Sequence, residues 1–165
     1  MTTHWEFIAQ CLREELADYG GLLGLFESQQ RALFDRNPEA VLQYANDIEA
    51  HAVALSRSRR RREEAVARFA GEHALPETTP LRSMLTLIEA DARPLLEALI
   101  TEVNALLQRV RRTSRHNHSL LSRSVEIHQE TLQQLRPHAF TKTYSPAGRL
   151  SVAAAQAPST LRVAG

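Results

Sequence analysis

The residues of this 165-residue chain best suited to metal or nucleophile chemistry are its seven histidines and single cysteine. Their spacing argues against both chemistries. His116 and His118 are two apart, so on a helix they point to different sides and cannot chelate one ion together. None of the histidines follows a glutamate by three residues, so the Glu-x-x-His ligand pair of di-iron helical bundles is absent. Asp47 and His51, four apart, read as an exposed helix pair rather than a catalytic dyad. Cys11, beside Ile8 and Leu12, reads as a small buried hydrophobe, and one cysteine forms no disulfide within the chain. No GxSxG, Walker or Rossmann pattern occurs, and the acids are scattered without a paired-carboxylate cleft. The expectation is therefore no catalysis, no metal and no cofactor.

Charge narrows the partners. The formal net charge is +1, which gives no strong overall pull toward nucleic acid or anionic lipid. The one charge run is Arg57, Arg59, Arg60, Arg61 and Arg62. It can form a patch for nucleic acid or an acidic partner. No aromatic residue interleaves it, and Glu63 and Glu64 follow it. A solvated helix face, with the Arg59 and Arg62 stems lying along the seam, is the preferred reading, and no nucleic acid is expected as partner. No apolar run approaches the roughly 20 residues of a membrane span, and no secretory signal opens the chain, so a cytoplasmic protein without membrane insertion is expected.

The elements that position these residues read as helices. A first helix is expected from about Thr2 or Thr3 through Phe34, with Gly20, Gly21 and Gly24 marking a bend or the close approach of a neighbour. Asn37-Pro38-Glu39 restarts the chain as N-cap, first helical residue and first-turn acid. The second helix runs from there to near Gly71. Thr79-Pro80 is expected to cap another start, and Pro94 either kinks the following helix or divides it in two. From Leu96 a heptad seam continues through Leu99, Val103, Leu106, Val110, Thr113, Asn117, Leu120, Ser124, Ile127 and Thr131. Arg136-Pro137 ends it, and residues 138–165 are expected to be a mostly flexible tail behind a 1–137 helical domain. The fold class is thus all-α: an antiparallel long-helix hairpin or bundle of three to four helices with an extended last helix.

Length then points to a surface. Two helices of about 34 residues are roughly 50 Å long, and one from Pro80 to Leu135 would be roughly 80 Å. The last helix is therefore expected to overshoot between Asn117 and Leu135. Along that stretch a second stripe, Leu121, Val125 and Leu132, runs beside Leu120 and Ile127. An apolar helix end with too few internal partners should bind another chain, and a homodimer burying it is the alternative. Asn117 on the seam fixes helix register by default, and on a functional reading belongs to a recognition edge.

Three motifs carry a resemblance. His116-Asn117-x-x-Leu120-Leu121, then Leu132-Gln133-Gln134-Leu135-Arg136-Pro137-His138, then Thr143-Tyr144-x-x-x-Gly148 together resemble the C-terminal half of FlgN-family flagellar export chaperones. The resemblance implies a non-enzymatic, cytosolic chaperone that holds hook-associated (hook–filament junction) proteins and delivers them to the flagellar type III export gate. It implies that Asn117, Leu120, Leu121, Val125, Leu132 and Leu135 bind the client. By the same resemblance Tyr144 and Gly148 belong to a short motif that docks at the gate. The readings from other classes are a basic nucleic-acid-associated helical protein and a structural coiled-coil dimer.

Overall fold

The computed structural model describes residues 4–135, 140–144 and 150–154. Three long helices carry the chain: α1 (His4–Phe34), α2 (Pro38–Glu72) and α3 (Arg93–Leu135), with a 3-10 helix at Leu81–Leu87 before α3. Two short strands, β1 (Phe140–Tyr144) and β2 (Leu150–Ala154), pair antiparallel with Tyr144 opposite Leu150. The fold is the expected all-α arrangement of long helices. The chain divides into two compact units, residues 1–118 and 119–165.

In the first unit α1 and α2 run antiparallel, as His4 with Glu72, Glu14 with Arg61 and Asp18 with Ser58 show. The helix α3 returns parallel to α1: Leu95 shares a cleft with Trp5, and Asn117 meets Phe26 and Gln29. One apolar core joins all three helices, with Ile8, Leu12 and Leu23 from α1, Val66 and Phe69 from α2, and Leu96, Leu99 and Val103 from α3. Met84 of the 3-10 helix closes it.

The boundary at Asn37-Pro38 forms as the sequence dictates: the Asn37 side-chain oxygen accepts from the Ala40 amide at 3.1 Å, and Pro38 begins α2. Elsewhere tertiary structure departs from local signals. Thr79 does not cap a helix; its hydroxyl donates to the Pro76 carbonyl at 2.6 Å, and a 3-10 turn follows instead of an α-helix. Pro94 does not kink α3 but lies in its first turn, where a missing N–H has no intrahelical partner to lose, and the short helix before it is separate from the long one, the second of the two expected outcomes. The last long helix accordingly starts at Arg93, not at Pro80. The end of α2 passes Gly71, and Ala74 takes the left-handed conformation (φ 54°) while the Leu75 amide donates to the Ala70 carbonyl. Arg36 does the same after α1 at φ 53°, with the Asn37 amide donating to the Ala32 carbonyl.

Of the three glycines inside α1, only Gly21 answers to a close approach. A Cβ there would sit 2.8 Å from His51 Cε1, whereas Gly20 and Gly24 face open space. The paired strands fall in the stretch expected to be tail. Phe140, Thr141, Thr143 and Tyr144 are residue types that favour extended chain.

Candidate functional site

The α3 seam is buried at Leu96, Leu99, Val103, Val110 and Asn117. Beyond it, Leu120 and Leu121 are half-buried, and the apolar residues after them are open. Val125 is 53% exposed, Leu132 46% and Leu135 73%, with Ile127 as open as Val125. At 100° per residue these six side chains occupy an arc of about 160°, Leu120 and Ile127 at one edge and Val125 at the other. Ser124, His128 and Thr131 lie within the arc, and the side chains of His128 and Thr131 bond back to their own helix. His128 Nδ1 is 2.7 Å from the Ser124 carbonyl, and the Thr131 hydroxyl donates to the Ile127 carbonyl at 2.8 Å. Polar groups tied to their own helix do not need water, so they can be covered by a partner at low desolvation cost. Ile127, a seam position, is exposed and joins the face.

Asn117 corrects the expectation. It is 1% exposed, and its amide donates to the Phe26 carbonyl at 2.7 Å and to Gln29 Oε1 at 3.2 Å. With its donors held by α1 it has no surface from which to touch a client, and it acts as the register-fixing residue of the seam. Tyr144 ends β1, and Gly148 lies outside the described residues.

The arginine run is largely occupied by its own chain. Arg59 pairs with Glu63 and Arg60 with Glu64, each one turn away, while Arg61 reaches Glu14 at 2.9 Å. Arg61 and Arg68 also lie over the Phe7 ring, at 5.3 and 5.9 Å from its centre. Arg62 pairs with Glu15, a carboxylate almost wholly buried. Neutralised or buried guanidiniums make a poor phosphate surface. The expected Asp47–His51 pair does not form. His51 turns to α1, its Nε2 2.8 Å from the Asp18 carbonyl, and Asp47 accepts from Gln43. Cys11 is buried as expected, and burial pushes its thiol above the ordinary range, away from nucleophilic use.

The fold and the open arc together define a class: a long-helix bundle protein whose candidate site is a surface for another polypeptide. The family model described as FlgN protein matches residues 1–151, and the chain belongs to the FlgN family, the flagellar export chaperones. No curated protein and no solved structure gives a match. Among the described residues, no helix is long and apolar enough to cross a membrane.

Proposed function

We propose that this chaperone holds hook-associated, hook–filament junction proteins in the cytoplasm and hands them to the flagellar export gate. The observation that carries the reading is the open apolar arc on the last turns of α3, within the span matched by the family. Leu120, Leu121, Val125, Leu132 and Leu135 form the client face, with Ile127 added. Client segments that are disordered before assembly fold against such a face. Burying about 400–500 Å² of apolar surface at ~25 cal/mol per Å² contributes roughly 10–12 kcal/mol gross. Ordering the client consumes much of that, which leaves a complex weak enough for hand-over. Tyr144 and Gly148, carried by the family motif, serve docking at the gate.

The test is Leu121→Asp combined with Val125→Asp. Capture of hook-associated protein should be lost while helical content, read by circular dichroism, is unchanged. Normal capture by the double variant would remove this face from the mechanism. Tyr144→Ala should leave client capture intact and weaken gate binding; equal loss of both would refute the division of labour. A stable homodimer that buries Val125 and Leu132 in the absence of client would instead favour a structural coiled coil.

A further inference from the structure

A second cleft, of about 410 Å³, lies within residues 1–118 and is unrelated to the α3 end. Its apolar floor is Leu12, Leu81, Ile100, Val103 and Leu107. Around the floor stand Arg59 of α2, Arg82 of the 3-10 helix and Arg111 of α3. The only carboxylate lining it, Glu15, is already taken by Arg62. Arg59 has just its exposed one-turn pair with Glu63, which water screens, and Arg82 reaches only the Thr101 hydroxyl at 3.3 Å. The Arg111 guanidinium has no carboxylate partner among the described residues.

Tyr19 adds a hydroxyl to the cleft wall. It is 3% exposed and lines the same cleft. A phenol hydroxyl in the cleft wall can donate to an anion placed there. Arg82 and Arg111, which have no carboxylate partner among the described residues, call for an anion, and the apolar floor calls for an apolar group attached to it. Spacing decides the size of that ligand. Arg82 sits beside Thr101, ten residues before Arg111, which is about 15 Å along α3. One small anion cannot reach both ends.

We infer that this cleft binds an acidic peptide segment of a partner protein, with carboxylates on Arg82 and on Arg111 with Tyr19, and a leucine or isoleucine on the floor between them. Charge-assisted bonds to guanidiniums give the contact its specificity, and the apolar floor adds burial. The inference stands apart from the client face and does not rest on it.

Isothermal calorimetry on the full-length protein tests it. The probes are synthetic Leu/Glu peptides whose two glutamates are separated by about three to about eleven residues, with Leu/Gln peptides of the same pattern and free glutamate as controls. Binding should peak at a separation of about five residues if the peptide is extended, or about ten if it is helical. Arg82→Gln with Arg111→Gln should weaken it at least about tenfold, and Tyr19→Phe about threefold, with circular dichroism unchanged. Failure of every Leu/Glu peptide to bind would overturn the proposal. So would equal binding of the Leu/Gln peptides, undiminished binding to the double variant, or displacement by free glutamate at matched concentration.

Discussion

Leu96 and Leu132 are the same residue type on the same helix, and they live in opposite environments. Leu96 is fully buried in the three-helix core, whereas Leu132 is exposed. Both lie on the apolar stripes read from the heptad pattern. The difference teaches that periodicity marks where a helix wants a partner, not whether its own chain supplies one. Up to Asn117 the chain does supply it, and the seam closes with a polar latch to α1. From Leu120 onward the exposures rise, and the unfilled stripe becomes the surface available for use.

The largest effect that sharpens this contrast comes from the buried ion pair. Arg62→Ala strands the Glu15 carboxylate in the core and should cost about 3–5 kcal/mol in urea unfolding. Replacing both partners, Glu15→Leu with Arg62→Met, should recover most of that loss, since a packed apolar pair avoids burying charge. Loss with no recovery would mean the pair does more than neutralise itself.

Next in size is the matched truncation along α3. Leu96→Ala should cost about 2–5 kcal/mol, because it removes buried methyl groups and leaves a cavity. Leu132→Ala should change stability by no more than about 0.5 kcal/mol, yet weaken capture of hook-associated protein. Equal stability losses at the two sites would break the comparison on which the client face depends.

The smallest effect is at alkaline pH. Burial raises the Cys11 thiol and, with Glu15 adding to it, the Tyr19 phenol. Both groups are neutral when protonated, so the folded state holds these protons more tightly than the unfolded chain. The stability they contribute is full below the ordinary thiol and phenol ranges and falls as pH climbs above about 9. Urea midpoints measured from pH 7 upward should decline, and Tyr19→Phe should flatten the phenol part of the decline. A midpoint that rises in that window would reverse the assigned direction.

What was legible in the sequence shares a physical character. The restart at Asn37-Pro38, the α3 seam and the apolar stripe near its end all rest on residues within one or two turns of each other. Their interactions form wherever the rest of the chain goes, so the sequence alone determined the helices, the faces they offer and the family they belong to. Tertiary structure decided the pairings between distant positions. Arg62 finds Glu15 and Arg61 finds Glu14, each 47 residues away, and Asn117 finds Gln29 at a separation of 88. It turned His51 from Asp47 to the Asp18 carbonyl, and it made Pro94 the start of a helix rather than a kink. Such choices depend on the register at which whole helices pack. That register is the outcome of many weak contacts summed across the core, and no local window of sequence contains it.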